Sequence, residues 1–564
     1  MAQQQEKWWL KHYPAGVPHE IDPLRYTSLP QMADECFEKF RERAAYTCMD
    51  KTLTFGELDE MSLALGAWFQ SRGLQKGARI ALMMPNVLQY PIAILAVLRA
   101  GYIVVNINPL YTPRELEHQL IDSGSEAIVI LENFAATLEA VIPRTPVKHV
   151  LMATVGDLLG FPKGAIVNFV VRRIKKSVPV FFLHGSVAFN DALVAGRGMT
   201  LVKAQLQPED VAFLQYTGGT TGVSKGAVLV HASICGAALI SEAWVKPAME
   251  DTRKGPPPDP AVILCALPMY HIFSLVSCMW LGVKLGGHNI LIPNPRDLDG
   301  MIKTMAKHKF NVIPAVNTMF NAMVNHIGFR ALDFSMLRVS NGGGMAVQRA
   351  VAEKWLHVTR TPIVEGYGLT ESSAGVTCNE VLNSEYSGDV GMPMPSTEVS
   401  IRDDFNAEVA LGQPGEICLR GPQMMRGYWQ RPDETAKVMT ADGYFKSGDI
   451  GIMLANGHVR IVDRKKDMIL VSGFNVYPNE IEDVVASCPG VMECAAIGVA
   501  DEKSGEAVKL FVVKKNAATL SAAELMAYCH QNLTGYKCPK QIVFRDSLPK
   551  SNVGKILRRE LRDK

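Results

Sequence analysis

The sequence has almost no excess of either charge. Its 58 Lys and Arg stand against 56 Asp and Glu, a formal net charge of +2 over 564 residues. No overall field therefore draws the chain to nucleic acid. None of its 11 cysteines forms a Cys-x-x-Cys pair, and even Cys488 and Cys494 stand too far apart for one. That removes a zinc-ribbon or dithiol redox motif, and scattered thiols suit a reducing compartment. Internal repeats and low-complexity tracts are also missing, which excludes solenoids and arrays. The opening Met1–Trp9 stretch lacks the basic and apolar regions of a signal peptide, so a cytoplasmic protein is expected. Between Asp259 and Lys284 no residue carries a formal charge, a length sufficient to cross a bilayer. Pro268 and His271 interrupt that run, and Ala261–Leu267 reads instead as a buried parallel strand leading into a loop and a core helix.

A composition 48% apolar and 20% charged belongs to a soluble globular chain, and this length predicts two or more domains. Strands and helices alternate over the first ~200 residues. Thr54-Phe-Gly-Glu57 and Thr112-Pro-Arg-Glu115 are capping boxes that open helices. Arg79–Met84, Tyr102–Ile107 and Glu126–Leu131 read as strands, so a parallel sheet with helices on its faces is expected. From about 396 to 462, turn signals such as Pro414-Gly415 and Asn456-Gly457 separate short strands, which predicts a small β-barrel-like subdomain. Asp463-Arg-Lys-Lys-Asp467 is the expected boundary, and 468–564 reads as a separate α+β unit. The fold expected is thus α/β: a large N-terminal domain (1–462) of layered parallel sheets with the barrel-like part, then a small α+β domain.

Residues 158–190 contain Lys163, Arg172, Arg173, Lys175 and Lys176, apolar runs on either side, and no acidic residue. Two readings stand: a surface resting on an anionic membrane, or the solvated face of an ordinary helix.

The most informative stretch is Tyr216-Thr-Gly-Gly-Thr-Thr-Gly-Val-Ser-Lys-Gly-Ala227. Gly218, Gly219, Gly222 and Gly226 free the backbone to turn its N–H groups toward an anion. Thr217, Thr220, Thr221 and Ser224 add hydroxyl donors, and Lys225 adds a positive charge. Apolar strands on both sides, Val211–Gln215 and Ala227–Val230, make this a held loop suited to cradle phosphates. It lacks the Walker A spacing. The stretch resembles the phosphate-binding signature of the adenylate-forming superfamily, and the likeness, closest to bacterial long-chain fatty-acid–CoA ligases, runs nearly the length of the chain.

The resemblance implies ATP and coenzyme A as cosubstrates, Mg2+ as cofactor, and a long-chain fatty acid as the acid. It implies Glu371, in Tyr367-Gly-Leu-Thr-Glu371, and Thr217 as the metal ligands, with Gly368 and Thr370 beside them. Asn341-Gly-Gly-Gly344, through Gly343 and Gly344, would lie under adenine with Tyr367 on its other face. Asp449, in Phe445-Lys-Ser-Gly-Asp449, would hold the ribose hydroxyls, with Arg464 supporting. Here Tyr444 and Ser447 replace the family's usual Trp and Thr. Lys555 would bridge the carboxylate and α-phosphate. His271 would stand at the mouth of the acyl pocket, though a satisfied core histidine is an equal reading. A gating Trp found in some long-chain members is Leu275 here. The resemblance also implies that the small domain is mobile about a 463–467 hinge at Asp463, and that Ser472 and Gly473 line the pantetheine channel. A homodimer is allowed for, as is peripheral membrane contact through 158–190. The alternatives are transfer of the acyl group to a carrier protein, or a non-catalytic fatty-acid-binding protein at the membrane.

Overall fold

The computed structural model describes residues 7–217, 224–472, 474–501, 504–515, 519–551 and 554–562. Among these, four sheets form. In the first, Arg79–Met83, Ile103–Asn106, Ala127–Leu131 and His149–Ala153 run parallel. Their residues are almost wholly apolar because both faces are covered; Leu82, Val104, Val105, Val129 and Ile130 are completely buried. Val211–Thr217 joins in parallel and Lys225–Val230 turns back against it. Both capping boxes are present. Thr54 and Glu57 exchange side-chain and backbone bonds to start Phe55–Gln70, and Thr112 and Glu115 do the same for Pro113–Ser123. That second helix ends on Gly124 at φ 64°, the left-handed conformation that releases the chain into the next strand.

The second sheet places Val262–Cys265 in parallel between His288–Leu291 and Val312–Ala315, followed by Val339–Gly342 and Ile363–Leu369. The uncharged Asp259–Lys284 stretch is therefore core: a strand, a turn, then a helical run with Met279 and Trp280 buried. No helix among the described residues is long and apolar enough to cross a membrane. All 11 cysteines are buried free thiols.

Glu398–Arg402, Gly415–Arg420, Phe445–Met453 and Val459–Arg464 make the third sheet, antiparallel throughout. Among the described residues its outer strands, Glu398–Arg402 and Val459–Arg464, do not pair with each other. The intervening Gly427–Tyr428 leaves this unit altogether and pairs with Ala227 and Val228. The fourth sheet centres on Gly505–Lys514, with Val491–Asp501 antiparallel and Gln541–Phe544 parallel to it. Helices Pro478–Ala486 and Ala522–Asn532 share with it a separate core that includes Ile481, Val485, Leu510 and Leu525. The carboxyl ends of the second sheet, the Thr217–Lys225 end of the first and the Ser551–Lys555 turn of the fourth meet at one cleft.

Candidate active site

The glycine-rich stretch is anchored at both ends. Thr217 and Lys225 face each other in antiparallel register. Ser224 Oγ donates to the Thr217 carbonyl at 2.6 Å, and His118 Nε2 lies 3.1 Å from the Ser224 carbonyl. The Tyr216 hydroxyl donates to Asp122 at 2.6 Å, and Asp122 also receives Arg431 at 2.8 Å. At Gly226 a Cβ would come within 3.1 Å of the Tyr216 ring, so the strand passes beneath the ring only without one. Gly218, Gly219, Thr220, Thr221 and Gly222 lie outside the described residues.

Glu371 sits in the single turn after Ile363–Leu369. Ser372, not Glu371, bonds back to the Leu369 N–H, at 2.9 Å. The Glu371 carboxylate instead accepts the Tyr428 hydroxyl at 2.7 Å. Lys225 Nζ lies 4.9 Å from the centre of the Tyr428 ring and pairs with Glu434 at 2.5 Å. That bond holds the Glu434 carboxyl down at about 2. Tyr428 thus joins the carboxylate to the loop lysine, although 57 residues separate it from Glu371. The close hairpin behind them needs Gly368, where a Cβ would fall 1.6 Å from the Ala374 carbonyl oxygen. Thr370 lines the same cleft.

Asp449 is buried with both oxygens engaged: Tyr367 donates its hydroxyl at 2.7 Å, and Arg464 Nε lies at 3.1 Å. Gly343 packs flat against Phe273, where a Cβ would come within 3.0 Å of the ring. Gly344 has φ 78°, and its missing Cβ would lie 3.4 Å from Lys555 Cε. Behind these glycines Glu365 accepts the Val347 N–H at 2.8 Å, and burial pushes its carboxyl up to about 8.

Lys555 enters from the C-terminal unit on a tight turn. Ser551 receives the Gly554 N–H on its carbonyl at 2.9 Å and the Lys555 N–H on its hydroxyl at 3.1 Å. Across the cleft, Thr318 donates to the Gly554 carbonyl at 3.3 Å. Burial, then the charge of Arg464, bring the Lys555 ammonium down to about 8, while Asp449 and Glu371 oppose the fall. His271 is neutral: burial, then Lys555, lower it to about 3. Its Nδ1 accepts the Phe273 N–H at 3.3 Å. His271 thus caps the Ile272–Ser274 turn and also lines the cleft.

The cleft is one connected cavity of about 2300 Å3. Thr217, Ser224, Lys225, His271, Gly343, Gly344, Tyr367, Gly368, Thr370, Glu371, Asp449, Arg464 and Lys555 all line it. So do Trp244, Val245, Val276, Leu281 and Met394, a large apolar wall that sequence reasoning did not find. Leu275 is fully buried and lies off that wall. Asp463 is completely buried and accepts the N–H groups of Arg464 and Asn479 at 2.7 and 2.8 Å. Arg558, three residues beyond Lys555 on the next turn, reaches Asp463 at 3.3 Å and Glu482 at 2.7 Å. Burial raises the Asp463 carboxyl to about 6 against the pull of Arg558. Ser472 is exposed and away from the cleft, and Gly473 lies outside the described residues.

Two carboxylates, Glu371 and Asp449, and two lysines, Lys225 and Lys555, thus share one cavity with apolar side chains. The AMP-binding enzyme family model matches residues 33–429, and the AMP-binding enzyme C-terminal domain matches 480–555. The chain is 55% identical to the long-chain-fatty-acid–CoA ligase of Yersinia pestis, over 99% of this chain and 98% of that one. It is 53% identical to the ligase of the same name from Escherichia coli O157:H7, with the same coverage. Among solved structures, ATP-bound MatB from Rhodopseudomonas palustris superimposes with a TM-score of 0.80 at 26% identity, covering 95% of this chain and 98% of that one. The chain belongs to the AMP-binding enzyme family.

Proposed function

We propose that the protein is a long-chain fatty acid–CoA ligase working through an acyl-adenylate. A carboxylate cannot form a thioester until one of its oxygens becomes part of a leaving group. The fatty-acid carboxylate attacks the α-phosphorus of ATP, and diphosphate departs. The coenzyme A thiol then adds to the acyl carbonyl, gives up its proton, and AMP leaves. The observation that carries this reading is that Lys555, Glu371 and Asp449 line one cavity together with the apolar side chains of Trp244, Val245, Val276, Leu281 and Met394.

Lys555 bridges the carboxylate and the α-phosphate, where negative charge develops; a preorganised cation in a dry site is most effective there. Lys225 and the loop from Thr217 to Gly226 bind the outer phosphates. Asp449, released from Tyr367 and Arg464, takes the ribose hydroxyls. Gly343 and Gly344 support adenine on one face and Tyr367 on the other. The apolar wall from Trp244 to Met394 takes the alkyl chain, with His271 at its mouth. Glu371 and Thr217 would hold Mg2+ through one carboxylate and one hydroxyl, oxygen donors of the kind it takes, and it would supply charge neutralisation at the phosphates.

The 463–467 hinge then turns the C-terminal domain, with Asp463 as pivot. That motion withdraws Lys555 and brings Ser472 and Gly473 to the pantetheine arm. A membrane-partitioning substrate suits an enzyme held peripherally on the inner face of the membrane. The test is AMP release by the purified protein with ATP, Mg2+ and a fatty-acid length series. Steady release only with coenzyme A, greatest for long chains, is expected. A single stoichiometric burst that coenzyme A does not relieve would point to a carrier protein, and no AMP with any acid would overturn the enzyme reading.

A further inference from the structure

The segment after Phe161 is a helix with its faces reversed. Lys163–Phe169 and Val170–Ile174 form one continuous helical run. The side that docks on the protein carries Gly164, Asn168 and Arg172, with Val167 packed on the core beside them. Gly164 lies so close to Gly156 that a Cβ would come within 2.4 Å of its carbonyl oxygen. Asn168 accepts the Gly156 N–H at 2.7 Å and donates to Thr154 at 2.9 Å. Arg172 pairs with the buried Glu132 at 2.8 Å. Residues 164, 168 and 172 recur at the four-residue spacing of one helix face.

The other side is apolar and faces outward. Ile166, Phe169 and Ile174 are 58%, 59% and 66% exposed, and Phe161, Val180 and Phe182 on the flanks are 93%, 98% and 67% exposed. A helix that folds against its own protein in water buries its apolar side. One that docks through a buried glycine, a half-buried asparagine and an arginine reaching the buried Glu132, while presenting isoleucine and phenylalanine, is built for an apolar environment outside. Its charge identifies that environment. Arg173, Lys175 and Lys176 are exposed at the end of the apolar face, and no acidic residue occurs from 158 to 190.

We infer that the 161–182 surface docks the protein on a bilayer containing anionic phospholipid, with the apolar side chains entering the headgroup boundary and the basic cluster on the phosphates. This deepens the peripheral location given above and rests on that reading only for its purpose, because docking needs no turnover. None of these side chains lines the catalytic cavity. The test is co-sedimentation with phosphatidylcholine vesicles, with and without phosphatidylglycerol. The wild-type protein should bind the anionic vesicles and be released by salt. The Arg173→Glu/Lys175→Glu/Lys176→Glu variant should bind them on the order of 100-fold more weakly, each lysine or arginine being worth roughly fivefold. Ile166→Asp/Phe169→Asp should weaken binding at least about tenfold. Both variants should release AMP with a short soluble acid at the wild-type rate, which shows that they fold. Wild-type protein that ignores anionic vesicles, or variants that bind as well as wild type, would overturn the inference. So would a dimer in sedimentation velocity that Ile166→Asp/Phe169→Asp dissociates. Vesicle binding without AMP release would leave it standing while removing the enzymatic reading.

Discussion

The two site lysines are held in opposite ways. Lys225 sits at the end of a strand in the first sheet, about a third exposed, and paired with Glu434. Lys555 sits on a turn of a separate unit, half-buried, with its nearest charges arranged around it rather than bonded to it. A lysine fixed in the sheet can hold phosphates through the whole cycle. A lysine carried by a docked unit acts only while that unit is docked, and its burial makes it cost more to keep charged. The contrast separates binding from timing.

Four changes break or sharpen it. Lys555→Ala should lower the overall ligase rate by about 10²–10³, the scale of losing one preorganised charge donor, measured as AMP release at saturating substrates. Next, Arg558→Ala leaves the buried Asp463 without its guanidinium and should destabilise the docked C-terminal unit by about 3 kcal/mol, read as an early transition in thermal unfolding. Smaller is Tyr428→Phe, which deletes the bond to Glu371. It should slow adenylation roughly tenfold and raise the Mg2+ concentration needed for half-maximal rate, whereas a merely structural tyrosine would leave the Mg2+ dependence unmoved. The smallest effect is a matter of pH. In the proposed mechanism the acting form of Lys555 is the cation, and burial lowers its value to about 8. kcat/KM for adenylation should therefore fall as pH rises through about 8 and level off below it. Lys555→Arg should lose this alkaline limb.

Much of this was legible from local signals. The two capping boxes set helix starts because a threonine and a glutamate three residues apart satisfy each other's backbone groups. Thr217 ends one strand and Glu371 follows another, so glycine motifs at strand ends marked both, whereas Asp449 lies within the antiparallel strand Phe445–Met453 and stands out only by its motif. Tyr428, Glu434 and Arg558 escaped because each reaches the site from a distant segment. Tyr428 arrives because Gly427–Tyr428 pairs with the first sheet rather than with the strands that flank it in sequence. The apolar wall escaped for a different reason. Trp244 and Val276 lie on helices buried nearly all round, and periodicity does not distinguish a core face from a cavity face.

The most direct measurement is to assay the two half-reactions separately in Lys555→Ala. ATP–diphosphate exchange dependent on a long-chain acid should fall by about 10²–10³. Thioester formation from supplied acyl-adenylate and coenzyme A should run at close to the wild-type rate. Equal loss of both half-reactions would contradict the assignment of Lys555 to adenylation alone, and with it the two-orientation account of the site.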